Sequence, residues 1–386
     1  MDCFLDIHHQ SLTKTGEELC GDRVKILKTP EKTILVLSDG LGSGVKANIL
    51  ATLTSTIIVT MTKADVALED VMRTVIATLP TCKVRKLAYA TFTILEIHKV
   101  TNKFRIVNFD NPRSLFFKNG VREELDVVES NILDHKIAIS HGQLERGDFL
   151  AIFSDGVLYA GLGDLMDFGW GREEIANYVE THLIRNNRAA ENIANDVIGK
   201  TRELYHGVNG DDATFLGVYA REKNALAVFT GPPLNPAEDA ARSAWITDFA
   251  GRRIVCGGTT GNIVGSYLGC EVETDMASMR ADLPPIGHLP GIDLVTEGIF
   301  TMAKASEMLK TSDGKIENLV NDGTGASLLA RELARADSIR LVVGQSINEW
   351  YQNPLLPKSI SIRRQLVDEL VAILASQGKD VSVEYC

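Results

Sequence analysis

Thr33-Ile34-Leu35-Val36-Leu37-Ser38-Asp39-Gly40-Leu41-Gly42-Ser43-Gly44 is the stretch on which the reading of the first half turns. Its apolar run reads as a buried strand, and Asp-Gly followed by alternating glycines reads as a tight turn. The same punctuation returns downstream, where Phe149-Leu150-Ala151-Ile152-Phe153 runs into Ser154-Asp155-Gly156. Gly210-Asp211-Asp212-Ala213-Thr214 sets carboxylates at the start of a third apolar run, and Gly21-Asp22 stands before Val24-Lys25-Ile26-Leu27. Aspartate is a poor strand residue. Any one of these sites is explained by turn chemistry, since Asp-Gly is a common turn pair. All of them in one domain point instead to carboxylates gathered at strand ends. Such a cluster suits hard divalent cations: Mg2+ and Mn2+ favour oxygen ligands, and two such ions can activate a shared water and clamp a phosphoryl group. Glycine beside a ligand lets the backbone approach closely.

Outward from this stretch, a helix is expected over 45–61, with Ile49, Leu53, Ile57 and Met61 on a core-facing stripe, and a second helix over 66–79. Strands follow at 87–97, 104–109, 115–117, 137–140 and 149–153, helices at 172–182 and 189–205, and a strand at 213–219. Clustered strands between helix pairs favour stacked sheets with helices outside them. Gly231-Pro232-Pro233-Leu234-Asn235-Pro236 is the densest proline cluster and sets the expected boundary between domains 1–230 and 231–386. Beyond it, helices at 237–249, 326–336 and 363–376 and strands at 253–256, 339–343 and 381–384 read as a smaller α/β domain.

Composition narrows the function. With 386 residues and 45% hydrophobic content, the chain has ample apolar mass for a large core. Its 51 Asp+Glu against 40 Lys+Arg give a net charge of −11, which argues against nucleic acid or an anionic membrane as partner. The six cysteines include no C-x-x-C pair, so neither a zinc site nor a dense disulfide scaffold is expected. The first residues lack the basic-then-apolar order of a secretory signal, and no run of 18 apolar residues occurs, so a cytoplasmic protein is expected.

The four motifs, in this order at these strand ends, resemble the metal-dependent protein phosphatases (the PPM family), in the bacterial branch typified by the sporulation stage II E serine phosphatase. The resemblance covers about residues 1–222 and rests on 11–22, 39–47, 146–157 and 210–214. It implies an α+β fold, an αββα sandwich of two antiparallel sheets flanked by helices, with two Mn2+ or Mg2+ ions at one end. Carried over, Asp39 bridges both metals, the Gly40 carbonyl completes one, Asp155 and Asp211 hold the other, and Asp22 sits near the first. Asp212 stands beside the ligand position. The expected catalytic residues are thus Asp39 and Asp155. This chain has Leu41 where eukaryotic members carry a histidine that is a candidate general acid. Arg113, in a turn-like segment, is a weak candidate for gripping phosphate, and a solvated surface arginine is the plainer reading.

The resemblance also implies a substrate, a phosphoserine on a bacterial regulatory protein such as an anti-sigma-factor antagonist. Two other functions stay open: a phosphatase-like scaffold without catalysis, and a hydrolase of small phosphate esters. Gly40-Leu41-Gly42 after a strand suggests a dinucleotide turn, but Val45 occupies the place of the third glycine. His8 and His9 read as an exposed pair. In the second domain, Gly257, Gly258, Thr259, Thr260 and Gly261 lie between a strand and a helix. They read equally as an anion-binding turn and as a glycine turn with threonine capping. A small ligand or a partner protein is expected there, in a regulatory role.

Overall fold

The computed structural model describes residues 3–78, 90–133, 135–163, 165–185, 189–279, 284–346 and 359–386. They fall into two compact units, Met1–Glu222 and Lys223–Cys386.

In chain order the first unit contains β1 (Phe4–Leu12), β2 (Asp22–Lys28), β3 (Lys32–Gly40), α1 (Gly44–Lys63), α2 (Leu68–Thr78), β4 (Ala90–His98) and β5 (Lys103–Phe109). There follow β6 (Leu115–Lys118), β7 (Val121–Glu123), β8 (Val127–Ile132), β9 (His135–Gln143), β10 (Phe149–Phe153), α3 (Asp155–Leu158), α4 (Arg172–Ile184), α5 (Ala190–Leu204) and β11 (Ala213–Arg221). One sheet has the order β1-β11-β10-β6-β7 and the other β2-β3-β4-β5-β9-β8. Their paired strands are antiparallel.

Side-chain alternation explains the layering. On β3, Leu35 and Leu37 join Leu95, Ile106, Leu150, Ile152, Leu216 and Val218 in a core between the sheets. Ile34 and Val36 point the other way, to Leu50, Ile58, Val71, Met72 and Val75 of α1 and α2. On β10, Phe149, Ala151 and Phe153 pack outward on Ile175, Val179, Ile193 and Val197 of α4 and α5. Three apolar layers separate four structural ones, which is the expected αββα sandwich.

The stripe expected on α1 is corrected. Its buried face carries Ala47, Leu50, Ala51, Thr54, Ser55, Ile58, Val59 and Thr62; of the expected stripe, Ile57 and Met61 pack against the core, whereas Ile49 and Leu53, with Val45, are exposed. Small residues at 47, 51 and 55 let the helix lie close to β3, and this closeness outweighed the bulk of the i, i+4 stripe. By length and composition α1 is apolar enough to cross a membrane, yet here it is a helix packed on a sheet. In the first unit, the strands β1, β7 and β8 had no counterpart in the sequence reading. Leu79, Cys82 and residues 87–89 lie outside the described residues. His8 and His9 fall on β1, the first half-buried and the second exposed.

The second unit contains β12 (Ala225–Thr230), α6 (Asp239–Asp248), β13 (Arg252–Cys256), α7 (Gly258–Leu268), β14 (Glu273–Asp275), β15 (Ile286–Leu289), β16 (Ile292–Thr296), α8 (Ile299–Thr311), α9 (Gly325–Arg335), β17 (Ser338–Val343), α10 (Ser359–Ser376) and β18 (Asp380–Tyr385). Its sheet has the order β14-β15-β16-β13-β12-β17-β18. The five strands from β16 to β18 run parallel, and β14 and β15 form an antiparallel margin. Leu226, Val228 and Ile254 face Met302, Leu329, Leu333, Leu370 and Leu374 of α8, α9 and α10. Ala227, Phe229 and Val255 face Ile246 and Val264 of α6 and α7. This is a doubly wound sheet.

The expected boundary at 230/231 is also corrected. Ala225–Thr230 was assigned to the first domain, but it is the strand at the middle of the second sheet, between β13 and β17. The chain changes units in the polar segment Glu222-Lys223-Asn224, ahead of the prolines. A chain ended after Glu222 should therefore melt as one cooperative transition. A chain ended after Thr230 would expose Leu226, Val228 and Phe229, at about 1.5–3 kcal/mol each. It should scatter light on heating well before the shorter chain does; equal behaviour of the two would contradict this boundary.

Candidate functional site

The six aspartate and glycine positions singled out in the first unit, Asp22, Asp39, Gly40, Asp155, Asp211 and Asp212, meet at one end of the sandwich. The antiparallel register sets Asp22 of β2 opposite Asp39 of β3. Gly40 ends β3 and donates its N–H to the Gly21 carbonyl at 3.2 Å. A side chain on Gly40 would come within 2.0 Å of the Ala47 carbonyl oxygen, so only glycine lets α1 pass here. Asp155 opens α3, after the buried strand β10. Gly156 is equally confined: a Cβ there would lie 2.0 Å from the Asp212 carbonyl oxygen. That contact brings the Asp211-Asp212 turn against the start of α3, and the Tyr205 hydroxyl donates to the Gly156 carbonyl at 2.8 Å from the side of α5.

Ser154 joins the two sheets at this end. It is fully buried, donates from Oγ to Asp22 Oδ2 at 2.7 Å and accepts from the Thr214 amide at 2.8 Å. The other Asp22 oxygen, Oδ1, is buried without a partner. Asp212 is buried too; its Oδ1 accepts the Lys14 amide at 3.0 Å, and its Oδ2 is a second buried oxygen without a partner. Asp211 accepts the Asp212 amide at 3.0 Å.

The electrostatics follow from this crowding. Burial above all, then the charges of Asp22, Asp155 and Asp211, pushes the Asp39 carboxyl well above the ordinary carboxylate range. Burial also raises Asp155, aided by the charge of Asp211 and opposed by a hydrogen bond shared with Asp39. Asp22 is pushed up to about 7, by burial first, against the bonds from Ser154 and Thr214. Burial likewise raises Asp211. Crowded like charges of this kind disfavour one another's ionisation.

Whether metal fits is answered in two parts. The donor set is all carboxylate and backbone oxygen, with two buried oxygens unpartnered, as a hard cation requires. Yet among the described residues no three or more His, Cys, Asp or Glu are gathered around one point that would hold an ion.

Sequence reasoning missed Ser154, Thr214 and the Lys14 amide. Both Ser38 and Ser154 precede an Asp-Gly, but Ser38 donates to the Thr91 carbonyl and only Ser154 reaches an acid. Arg113 is exposed and pairs with Glu129 at 3.7 Å, as a surface arginine does. In the second unit, Gly257 caps α7 with no side-chain capping bond, which speaks against the threonine-cap reading, one of the two given for this turn; Thr259 is exposed and Thr260 buried.

The first unit is thus a four-layer αββα sandwich with aspartates clustered at its strand ends. The chain belongs to the stage II sporulation protein E (SpoIIE) family, whose model matches residues 29–221. Among solved structures it is similar to the PP2C phosphatase domain with a regulatory fragment of SpoIIE from Bacillus subtilis: 15% identity, TM-score 0.46, covering 57% of this chain and 62% of that one. It is also similar to the RsbU and RsbW domains of a Mycobacterium tuberculosis protein, at 17% identity and TM-score 0.48, over 63% of this chain and 67% of that one. RsbX in complex with magnesium matches at 20% identity and TM-score 0.41, over 56% of this chain and 95% of that one. The chain thus spans less than two thirds of the Bacillus subtilis structure. No curated protein matches it.

The raised carboxyls predict how the metal-free protein responds to pH. A carboxyl whose folded-state pKa lies above its unfolded value, near 4, contributes stability that is fully present below that value. The contribution is lost as pH rises through the folded pKa. In chelator, the melting temperature should fall between pH 5 and pH 8 through Asp22 and Asp39. Asp39→Asn should flatten the fall. A steeper fall in Asp39→Asn than in the parent, followed by circular dichroism, would refute the arrangement.

Proposed function

We propose that the chain is a Mn2+- or Mg2+-dependent protein serine/threonine phosphatase that acts in the cytoplasm on a phosphoserine of a bacterial regulatory protein, such as an anti-sigma-factor antagonist. The observation that carries the proposal is the gathering of Asp22, Asp39, Asp155, Asp211 and Asp212 at the ends of two sheets, with Asp22 Oδ1 and Asp212 Oδ2 buried and unpartnered. Asp39, Asp155 and Asp211, with the Gly40 carbonyl, would hold two cations, and Asp22 would sit beside them. When bound, such ions lower the pKa of water and neutralise charge on a phosphoryl group. Asp39, set by register at the end of β3, and Asp155, set by the start of α3, fix the spacing of the donors. Ser154 orients Asp22 by its hydrogen bond and acts as a positioning residue. Leu41 offers no proton to the leaving seryl oxygen, so that proton comes from water or from another group. The second unit, which supplies none of these residues, is assigned a regulatory role.

Phosphoseryl peptide should be hydrolysed with Mn2+ and not in excess chelator. Asp39→Asn and Asp155→Asn should each lower turnover about a hundredfold or more and remove the stabilisation that Mn2+ gives the parent. Turnover in chelator would exclude the metal-dependent reading, and a chain active on aryl phosphate but inert to every phosphoprotein would favour a small-ester hydrolase.

Ser154→Ala should raise the Mn2+ concentration needed for half-maximal activity about 10- to 100-fold, as loss of a ligand's supporting bond does, while turnover at saturating Mn2+ falls little. An unchanged Mn2+ requirement would show that Asp22 needs no orientation from Ser154.

A further inference from the structure

We infer that the second unit binds a nucleoside phosphate at the carboxyl edge of its parallel sheet, with the phosphate on the turn between β13 and α7 and a ribose hydroxyl on Glu297. Parallel sheets of this kind take ligands at the carboxyl ends of their strands. Beside β12, where the strand order reverses, the chain itself fills that edge. The Gly344 amide donates to the Thr230 carbonyl at 2.8 Å and the Ser346 amide to the Pro232 carbonyl at 3.1 Å, and a Cβ on Gly344 would stand 2.1 Å from the Pro232 carbonyl oxygen. The ends of β13 and β16, one strand over, are the alternative.

There the turn Gly257-Gly258-Thr259-Thr260-Gly261 opens an eleven-residue helix. The first intrahelical bond runs from the Gly261 amide to the Gly257 carbonyl, at 2.8 Å. The Gly258 and Thr260 amides precede it, at the positive end of the helix dipole. A Cβ on Gly258 would meet nothing within 4 Å, so the turn borders open space. A Cβ on Gly261 would lie 3.3 Å from Val272 and 3.4 Å from Val295, so this glycine lets the helix pack closely on the sheet.

Two further observations point to a ligand. Thr260 is fully buried, and its Oγ1 has no hydrogen-bond partner. That oxygen lies 3.2 Å from where a Cβ on Gly257 would be, so it is aimed into the turn. Glu297 Oε2 is likewise buried and unpartnered. Cys256 pairs with Thr296 in the parallel register, and the Gly257 amide donates to the Thr296 carbonyl at 2.8 Å, so Glu297 follows the strand end beside the turn. The neighbouring acids are already engaged: Asp293 accepts the Arg253 amide and Asp322 the Thr324 amide.

An orphaned hydroxyl beneath a helix N-terminus lacks an acceptor, which a phosphate oxygen supplies. An orphaned carboxylate oxygen lacks a donor, which a sugar hydroxyl supplies. A glycine turn after one strand with an acid at the end of the adjacent parallel strand is the pairing by which dinucleotide folds hold phosphate and ribose.

The test is calorimetric titration of the full chain, in chelator, with ADP, adenosine and inorganic phosphate as probes. Chelator keeps metal out of the first unit, so a failure here leaves the phosphatase reading standing. ADP should bind, and adenosine and inorganic phosphate should each bind at least about tenfold more weakly. Gly258→Asp, which sets a negative charge in the open turn, should abolish ADP binding without lowering the melting temperature. Thr260→Val and Glu297→Ala should each weaken ADP about tenfold, and Glu297→Ala should leave inorganic phosphate unchanged. Absence of ADP binding, or ADP binding indifferent to Gly258→Asp and Thr260→Val, would overturn the site. Equal affinity for ADP and inorganic phosphate would overturn the nucleoside assignment.

Discussion

The first unit is organised around a repulsion. Carboxylates from β2, β3, α3 and the turn before β11 are brought together where burial and their own charges oppose ionisation. A cluster of this kind is held by the rest of the fold, since it does not hold itself. Each acid is fixed by backbone that has little freedom to move: Asp39 by nine residues of ladder with β4, Asp22 by the same ladder's other neighbour, and Asp155 by a helix start pressed against the Asp212 carbonyl. The three apolar layers of the sandwich therefore do more than stabilise. They hold like charges together at one end of the sheets.

Two glycines make that spacing attainable. At Gly40 and Gly156 the incoming backbone carbonyl stands 2.0 Å from where a side chain would begin. Any other residue would force the strand end and the helix apart. The carboxylates and their glycines thus form one device, in which the acid supplies the charge and the glycine lets the neighbouring chain close behind it.

The second unit uses glycine for a different end. The five strands from β16 to β18 run parallel with helices on both faces, so its reactive edge is the row of strand-to-helix turns rather than a cleft between sheets. Gly231 and Gly344 close that edge beside β12 by admitting backbone contacts, while Gly258 leaves it open beside β13. The difference lies in which neighbours the strand order supplies to each turn.

The sequence by itself determined a good deal. Apolar runs capped by Asp-Gly marked β3 and β10 and their acids. The acids recur at the ends of buried strands because no other place in a sandwich both orders a carboxylate and exposes it to a ligand. In the second unit β13, β17, β18, α6, α9 and α10 were legible for the same local reason, the 3.6- and 2-residue periods being written in consecutive residues, whereas β12, β14, β15, β16 and α8 were not. What depended on distant partners was decided only by the tertiary structure. Val45, Ile49 and Leu53 form a plausible core stripe, but the small residues on the next face of α1 fit closer to β3, and packing chose that face. Ala225–Thr230 precedes the prolines yet belongs with β13 and β17, because a buried strand joins whichever sheet has a vacant parallel neighbour. Ser154 is indistinguishable from Ser38 in sequence, and only the meeting of two sheets gives one of them a carboxylate to hold.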